Sequence, residues 1–501
     1  MPKCRTLCIA LVSLLVPLAA SASSKCDRVL QRLGDRLVGA TCFESTDLTT
    51  NNALTTPADN SITTLPPFAF TPQTDRSKIA PSAGKRPPIT KMVPGVQISA
   101  YIAGDPTNQA RFLLRLPDDW NGRLVVAGAS GTRSEFNGDF AWSDYVVQKG
   151  YAYASQNKGV LNLRLAMPFG PKPPNDLACR LAASGPTSVV WVNFYDNDPG
   201  QPFARWALFM GEAAKLAQRG VDARYGRKPR FTYAVGTSNG GYQARRAVEL
   251  FPDLFDGGVD WEGTYVDDHD ANLLTDLPPA ILNFPDYTAA GLDASSTAAK
   301  NIRLAGYPPD IVQGSTSLWA NYSNDFWEVT QCQWQKRLDP AYDTYGQGTG
   351  TYNYRARLAQ SDVGQQLESF ETTGRIHRPL ITVAGTMDAL LPIDHHARAY
   401  ARRVEAALQD NDGDDRHDHD HCHDRPAYRL YEVQNGNHIE TYQDTFPALE
   451  LIEPHAQHAF DLLVDQVENG HALPPSQCIP RGSSISSSPA QPGHCADYFV
   501  P

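Results

Sequence analysis

The chain has 501 residues, enough to bury a large core, and its 41% hydrophobic and 20% charged residues are ordinary for a globular protein. A formal net charge of −11 argues against nucleic acid or an anionic membrane surface as the main partner, because both repel a negative protein. We expect one large domain with a second, smaller domain inserted into it.

Residues 1–22 have the pattern of a cleavable export signal. Lys3 and Arg5 supply the positive start, an apolar run follows at 7–20, and an Ala-Ser-Ala sequence that ends at Ala22 is a cleavage site. The apolar run is too short to span a bilayer. We therefore expect a secreted or periplasmic protein without a membrane anchor, in which disulfide bonds are able to form.

Nine cysteines are present, and two of them, Cys4 and Cys8, fall in the export signal. The remaining seven are an odd number, so at least one cysteine is free or bonded to another chain. Sequence alone does not determine the pairing. The pairs that we expect are Cys26–Cys42, Cys478–Cys495 and Cys179–Cys332, with Cys422 left over.

Residues 23–94 are expected to form an extended N-terminal arm. The part from residue 43 onwards is rich in Thr, Pro, Asn and Ser, and an apolar run at 65–72 lies in its middle. Apolar residues so close together favour an arm that docks on a core, and a flexible linker is the alternative.

From residue 95 onwards, short apolar runs alternate with helical patterns. An antiparallel pair of strands comes first and short buried strands follow; the predicted strands are 96–102, 110–116, 123–127, 151–155, 188–193, 230–235, 257–261, 379–384 and 428–433. The predicted helices are 203–223, 242–251, 397–408 and 454–469. Alternating strands and helices indicate an α/β protein with a mostly parallel sheet that helices cover on both faces.

The alternation stops at 264–375, a segment rich in Asn, Tyr, Trp and Pro, with helices predicted only near 295–305 and 354–370. We expect this segment to be a cap inserted into the main domain. The main domain then consists of residues 95–263 and 376–480, and residues 481–501 form a C-terminal tail.

The most informative motif is Gly-Thr-Ser-Asn-Gly-Gly at 236–241, because a predicted strand comes before it and a predicted helix after it. A Gly-x-Ser-x-Gly sequence at such a junction is the nucleophile elbow of the α/β-hydrolases, where a tight turn exposes the serine hydroxyl. Ser238 is then the nucleophile, and the N–H of Asn239 at the helix start faces the developing oxyanion. A second N–H is expected from Ala129 or Ser130, in the loop after the third predicted strand. The motif predicts an α/β-hydrolase fold with an inserted cap.

The α/β-hydrolases place an acid and then a histidine after the nucleophile, each on a loop that follows a late strand. Asp388 follows the predicted strand 379–384, and His438 follows the predicted strand 428–433. His438 is therefore the expected general base, and Asp388 is expected to orient its imidazole.

Four other residues compete for these two roles. Asp394 is a rival acid, but the proline two positions before it indicates that it opens a helix. Of the rival bases, two follow the acid too closely and the third falls inside the closing helix; they are His395, His396 and His455.

Residues 409–425 contain an acidic run followed by a run rich in histidine. The carboxylates at 410–415 are able to bind Ca²⁺, and the histidines Zn²⁺ or Cu²⁺. The spacing of Asp and Gly differs from that of an EF-hand loop, so we favour a solvated insertion between a helix and the last strand. The chemistry of a serine hydrolase requires neither a metal nor another cofactor.

Several short motifs resemble those of the tannase and feruloyl esterase family of exported α/β-hydrolases. They are Trp-Asn-Gly-Arg at 120–123, Tyr-Gly-Arg-Lys-Pro at 225–229, the elbow itself, and Phe-Pro-Asp-Leu-Phe-Asp-Gly at 251–257. The resemblance spans residues 95–480 without the cap, and it implies hydrolysis of esters with an aromatic acyl group. That family usually joins two cysteines beneath the triad, one before the serine and one after the histidine; Thr237 and Ile439 occupy those positions here.

The sequence therefore predicts an exported serine esterase that acts on aromatic esters, of the feruloyl or galloyl type, or on oligomers of hydroxyalkanoates. A secreted serine peptidase on the same fold and a non-catalytic binding protein are the alternatives. The cap is rich in aromatic residues, which suit a pocket for an acyl or aryl group. The side chains expected to contact the substrate are Trp261, Glu262, Tyr265, Trp319 and Trp327, with Tyr322, Phe326 and Trp334 as further aromatic candidates.

Overall fold

The computed structural model describes residues 24–57, 72–77, 80–131, 134–160, 164–166, 179–180, 191–193, 203–340, 342, 349–414 and 426–501. The predicted export signal lies outside these residues, as do Cys422 and the histidine-rich part of the acidic run. Among the described helices, none combines the length and the apolar composition that are needed to cross a membrane.

The N-terminal part of the chain joins the main sheet instead of forming only an extended arm. It contains helix α1 (Lys25–Leu33), strand β1 (Leu37–Ser45) and helix α2 (Pro72–Ser77). Ser24 caps α1, because its hydroxyl accepts a hydrogen bond from the N–H of Asp27 while the Asp27 carboxylate accepts one from the N–H of Ser24. A disulfide between Cys26 and Cys42 fastens α1 to β1, as predicted.

The first half of the main domain contains strands β2 (Gly95–Ile102), β3 (Arg111–Pro117) and β4 (Arg123–Gly128), helix α3 (Asp144–Val147) and strand β5 (Ala152–Gln156). Three short strands follow and pair antiparallel in a sheet of their own; they are β6 (Arg164–Ala166), β7 (Cys179–Arg180) and β8 (Trp191–Asn193). β8 is the described part of the strand predicted at 188–193, and it pairs outside the main sheet. The half ends with helix α4 (Ala204–Tyr225), strand β9 (Phe231–Thr237), helix α5 (Asn239–Leu250) and strand β10 (Gly257–Trp261).

The cap segment is largely helical. Its elements are helices α6 (Leu273–Ala289) and α7 (Thr297–Leu304), strands β11 (Val312–Gln313) and β12 (Thr316–Ser317), and helices α8 (Leu318–Tyr322), α9 (Glu328–Leu338), α10 (Tyr354–Leu358) and α11 (Val363–Glu368). Most of its aromatic side chains pack into one buried cluster, which includes Trp319, Tyr322 and Trp327.

The chain then returns to the main domain with strand β13 (Leu380–Gly385), helix α12 (Ala397–Asp414), strand β14 (Tyr428–Val433), helix α13 (Glu453–Asn469) and strand β15 (Gln477–Ile479). Because α12 continues to Asp414, the start of the predicted acidic loop is helical. The predicted disulfide between Cys478 and Cys495 fastens the tail to β15. Cys332 is disulfide-bonded as well, and its helix α9 lies against β7, which carries its predicted partner Cys179.

The main sheet has ten strands in the order β1-β2-β3-β5-β4-β9-β10-β13-β14-β15. The first three pairings are antiparallel and all later ones are parallel. Alternate side chains point to opposite faces, so Val125 and Val259 pack with α3 and α13, whereas Leu124 and Ala234 pack with α1, α4 and α5. This strand order with helices on both faces confirms the predicted α/β-hydrolase fold.

Candidate active site

Ser238 lies on a sharp turn between the end of β9 and the start of α5. Its backbone φ of 58° and ψ of −123° form a conformation that L side chains rarely adopt. Its N–H donates to the carbonyl of Trp261 at 2.9 Å, which holds the turn against β10. A Cβ at Gly236 would stand 2.1 Å from the carbonyl oxygen of Gly240, so the motif needs glycine there for a steric reason. The turn has the geometry expected of the elbow.

The structure brings Asp388 and His438 together at the carboxyl ends of β13 and β14. Nδ1 of His438 lies 2.8 Å from Oδ2 of Asp388, and both side chains are almost fully buried. The other carboxylate oxygen, Oδ1, accepts hydrogen bonds from the N–H groups of Leu390 and Leu391 at 2.8 and 2.7 Å. The carboxylate is thus fixed by the backbone on one side and orients the imidazole on the other.

Ser238 and His438 line one cavity of about 50 Å³, although no hydrogen bond joins these two side chains in the described structure. Such contacts are often long in unliganded hydrolases and shorten when the substrate binds. The three predicted triad residues therefore meet at one place, with His438 in contact with both the acid and the cavity.

The rival residues, all within the described ranges, have other partners. Asp394 forms an ion pair with an arginine of α12 at 2.9 Å, and Nδ1 of His395 lies 2.9 Å from a buried aspartate of α6. His396 accepts a hydrogen bond from a backbone N–H in the loop after β10. His455 is buried in α13, where burial lowers its pKa to about 4. None of the four lines the cavity at Ser238.

In the loop after β4, the structure favours an oxyanion donor other than the two that were expected. The N–H of Ala129 donates to Oε1 of Gln243 at 3.1 Å, and the N–H of Ser130 donates to Oδ1 of Asn137 at 3.1 Å. Both expected donors are therefore engaged by side chains. Gly131, the next residue, has a φ of 45° and also lines the cavity, so its N–H is the better candidate.

Sequence reasoning missed a buried polar network behind this loop. Nζ of Lys158 donates to the carbonyl of Ala129 at 2.6 Å, and Nε2 of Gln156 donates to Oε1 of Gln243 at 3.0 Å. Nε2 of Gln243 donates in turn to a carbonyl of α4 at 2.7 Å. Gln243 lies early in α5, so the network joins the helix after Ser238 to the oxyanion loop. The sequence offers no signal for this role, because Gln243 lies on a helix that also carries two arginines and a glutamate.

The cavity at Ser238 has a mostly apolar wall with a few hydroxyl and amide groups. The apolar part of the wall is formed by Leu273, Phe326, Trp334, Leu390, Leu391 and Ile439. Apart from His438, no acidic or basic side chain of the described residues lines it. Such a wall suits an uncharged part of a ligand.

The five residues expected to contact the substrate do not line this cavity, although the structure describes all of them. Trp319 and Trp327 fill the core of the cap, where the Trp327 indole donates to a backbone carbonyl at 2.7 Å. Tyr265 packs beside α12, Trp261 borders a smaller cavity that the imidazole also lines, and Glu262 faces the imidazole. Most of the large rings pack in the core of the cap. The number of aromatic residues in the sequence was therefore a poor guide to the number that contact a ligand.

Glu262 directly follows β10, and its side chain is 2% exposed. Its Oε2 lies 3.6 Å from Nδ1 of His438, and its Oε1 accepts a hydrogen bond from the N–H of Gly385 at 3.0 Å. Burial, and next the charge of Asp388, raise the pKa of Glu262 well above its usual value. The donor atoms of Glu262, Asp388 and His438 lie within 4.8 Å of one another, a spacing that also suits a metal ion. Here His438 and Asp388 are hydrogen-bonded to each other, and the carboxyl group of Glu262 accepts hydrogen bonds from the N–H of Gly385 and the indole of Trp261.

The segment 498–500 holds the loops that carry the acid and the histidine. The hydroxyl of Thr386 donates to the carbonyl of Tyr498. Asn435 has a φ of 65°, its Nδ2 donates to the carbonyl of Val500 at 2.6 Å, and its Oδ1 accepts from the N–H of Val500 at 2.8 Å. The predicted C-terminal tail is therefore part of the support behind the site.

Sequence comparison relates the C-terminal part of the chain to a hydrolase family. The family model of 3HB-oligomer hydrolase (3HBOH) matches residues 340–495, which include Asp388 and His438 but not Ser238. The D-(-)-3-hydroxybutyrate oligomer hydrolase of Ralstonia nicotianae is 32% identical over 139 residues. That match covers 26% of this chain and only 17% of the relative's length.

Structural comparison finds esterases at low sequence identity. Feruloyl esterase B from Aspergillus oryzae is 14% identical, with a TM-score of 0.47 over 87% of this chain and 88% of that chain. Tannin acyl hydrolase from Aspergillus niger is 13% identical, with a TM-score of 0.44 over 80% of this chain and 87% of that chain. The fold assignment itself rests on the strand order and on the elbow.

Proposed function

We propose that this protein is a serine esterase that hydrolyses carboxylic esters through Ser238, His438 and Asp388. The observation that carries the proposal is an elbow serine in the same cavity as a histidine whose Nδ1 is hydrogen-bonded to a buried carboxylate. The match of residues 340–495 to the 3HB-oligomer hydrolase family supports ester hydrolysis.

In the first half of the reaction, Oγ of Ser238 attacks the carbonyl carbon of the ester, and its proton passes to Nε2 of His438. The N–H groups of Asn239 and Gly131 stabilise the negative charge that develops on the carbonyl oxygen. The ester C–O bond then breaks, His438 returns the proton to the departing alcohol oxygen, and the acyl group stays on the serine. Asp388 stabilises the positively charged imidazole.

In the second half, a water molecule attacks the acyl carbon and gives a proton to His438. The C–O bond to Ser238 breaks, the proton returns to Oγ, and the carboxylic acid leaves. Each cycle consumes an ester and a water molecule and releases an alcohol and an acid, so it needs no cofactor.

Within this reaction we propose short oligomers of 3-hydroxyalkanoates as the substrate class. Leu390, Leu391 and Ile439 lie in the segment that matches the 3HB-oligomer hydrolase family, and all three line the cavity. An aliphatic wall and a cavity of about 50 Å³ favour a small branched acyl unit. A feruloyl or galloyl ester is the second candidate, because the rings of Phe326 and Trp334 also line the cavity.

Export is part of the proposal. The disulfides Cys26–Cys42 and Cys478–Cys495 support it, because such bonds form and persist in oxidising compartments. The N-terminal signal pattern points to the same compartment.

Replacement of the nucleophile tests the reaction type. Ser238→Ala should reduce turnover by about 10⁴-fold or more, because members of a triad act as a unit, and its melting temperature should stay close to that of the wild type. An organophosphonate should label the wild type at Ser238 and leave the variant unlabelled. Ser99→Ala, in the distant strand β2, is the matched control and should keep full activity. Turnover by Ser238→Ala, or labelling of another serine, would refute the assignment.

A substrate panel tests the substrate class. It contains dimers and trimers of 3-hydroxybutyrate, methyl esters of ferulic and gallic acid, and peptide amides. The highest kcat/KM for the oligomers supports the proposal, and a preference for the aromatic esters moves it to the second candidate. Cleavage of amides alone would identify a peptidase, and turnover of none of the panel would leave the binding protein as the better interpretation.

A further inference from the structure

Two carboxyl groups face the same imidazole nitrogen. Besides Oδ2 of Asp388 at 2.8 Å, Oε2 of Glu262 lies 3.6 Å from Nδ1 of His438. This nitrogen carries at most a single proton, and Asp388 accepts its hydrogen bond, whereas Oε2 of Glu262 lies just beyond hydrogen-bond distance. Asp388 is the closer and is the acid of the proposed triad, whereas Glu262 has no part in the mechanism derived above.

We propose that Glu262 is a positioning residue for His438, which stands beside the Nδ1–Asp388 hydrogen bond and replaces Asp388 as the acid when that carboxylate is removed. This inference rests on the proposed esterase function and adds a residue to its site. Glu262 does not line the cavity at Ser238, so it acts through the imidazole and not on the substrate.

The location of Glu262 follows from the order of the strands. β10, β13 and β14 are neighbouring parallel strands, so their carboxyl ends lie side by side. Glu262 comes directly after β10, whereas Asp388 and His438 come from the loops after β13 and β14. An acid at the end of β10 therefore reaches the histidine as directly as an acid after β13 does.

Hydrogen bonds and the backbone aim the carboxyl group of Glu262. The N–H of Gly385 donates to Oε1 at 3.0 Å, and the indole N–H of Trp261 donates to Oε2 at 3.2 Å. The backbone φ of 50° is a strained conformation for a residue with a side chain, and such strain persists only where the surroundings enforce it. Strain that directs one side chain at a site is typical of functional positions.

The surroundings of Glu262 favour its protonated form. Burial first, and the negative charge of Asp388 second, raise the pKa of Glu262 well above its usual value. The other groups that face it are the imidazole of His438, the carboxyl group of Glu440 and the hydroxyl of Tyr322. Both causes of the raised pKa disfavour a second negative charge beside Asp388. Loss of Asp388 removes one cause of the raised pKa, and Glu262 then ionises more readily beside His438.

A double-mutant cycle on the full chain tests the inference. Asp388→Ala should retain activity about tenfold above that of the double variant Asp388→Ala/Glu262→Gln. The residual activity of Asp388→Ala should rise with pH as Glu262 ionises, and the double variant should lack this rise. Glu262→Gln alone should lower kcat about two- to tenfold. Ser238→Ala tests the serine mechanism separately, so failure of the cycle is distinguishable from failure of the proposed function.

The matched control is Glu453→Gln, since Glu453 is an equally buried glutamate with a pKa raised to about 7 but with no pairing to His438. In the Asp388→Ala background it should leave the residual activity unchanged. If Asp388→Ala fails to fold, Asp388→Ser replaces it, because the hydroxyl offers an acceptor to the N–H of Leu390. Equal activities and identical pH profiles with and without Glu262 in the Asp388 variants would overturn the inference.

Discussion

Replacement of Gln243 by leucine tests whether α5 and the oxyanion loop act as one unit. The buried amide of Gln243 accepts hydrogen bonds from the N–H of Ala129 at 3.1 Å and from Nε2 of Gln156 at 3.0 Å, and it donates to the carbonyl of Trp206 at 2.7 Å. Leucine has a similar size but provides none of these bonds. The variant therefore removes the link while it keeps most of the packing.

The magnitude follows from the partners that lose a bond. A buried polar group that loses its partner costs about 1–3 kcal/mol. Gln156 still reaches a carbonyl of β4 at 3.5 Å, so the N–H of Ala129 and the carbonyl of Trp206 dominate. We expect the free energy of unfolding to fall by about 3 kcal/mol. Because a shift of about 1 Å near the chemistry costs up to about 100-fold, kcat should fall about 10- to 100-fold.

Two measurements separate the effects on stability and on the site. Urea denaturation gives the free energy of unfolding, and ester hydrolysis well below the unfolding transition gives kcat. Gln457→Leu is the matched control, because its buried amide donates to the carbonyl of Ala141 at 2.9 Å, away from the oxyanion loop. It should lower stability and leave kcat unchanged. A folded Gln243→Leu protein with the kcat of the wild type would refute the coupling between helix and loop.

Two further predictions concern pH and the cap. Burial lowers the pKa of His455 to about 4, so its neutral form stabilises the fold fully above pH about 6.5, and this contribution is lost as the pH falls towards 4. His455→Gln should therefore reduce the difference between the free energies of unfolding at pH 7 and pH 5, and an unchanged difference would contradict the role of burial. In the cap, Trp327→Phe should lower the melting temperature, because the indole loses its hydrogen bond to the carbonyl of Ala389, and it should leave ester preference unchanged, because Trp327 does not line the cavity. Phe326→Ala should also lower the melting temperature, because its ring belongs to the buried cluster of the cap, but it should in addition raise KM or change ester preference, because the ring lines the cavity; an unchanged KM and ester preference would move the acyl site elsewhere.

Local patterns in the sequence were enough to predict much of the fold. The strand expected at 379–384 is β13, and the helix expected at 203–223 is α4. The elbow was visible because its turn demands small residues, as the approach of Gly236 to Gly240 explains. Periodicity and tight turns depend on neighbouring residues only, so a single sequence reveals them.

Contacts between distant parts of the chain were beyond the same reasoning. An apolar run does not reveal its partner, so nothing in the sequence separated the strand predicted at 188–193 from those of the main sheet, whereas β8 pairs in a separate sheet. Gln243 lies 114 residues after Ala129. Only the fold shows that the Gln243 side chain accepts a hydrogen bond from the N–H of Ala129, which was expected to face the oxyanion. Glu262 was expected in the substrate pocket. In the structure its backbone φ is 50°, and its side chain faces His438 instead of the pocket.

The segment 498–500 follows both site loops in the chain, yet Tyr498 and Val500 bond to the residues that hold those loops. During synthesis, Ser238 is therefore made long before the loops that carry Asp388 and His438 acquire their last contacts. For the proposed esterase, hydrolysis should begin only once this segment has docked behind the two loops. In practice, ester turnover would report whether this segment has escaped proteolytic trimming.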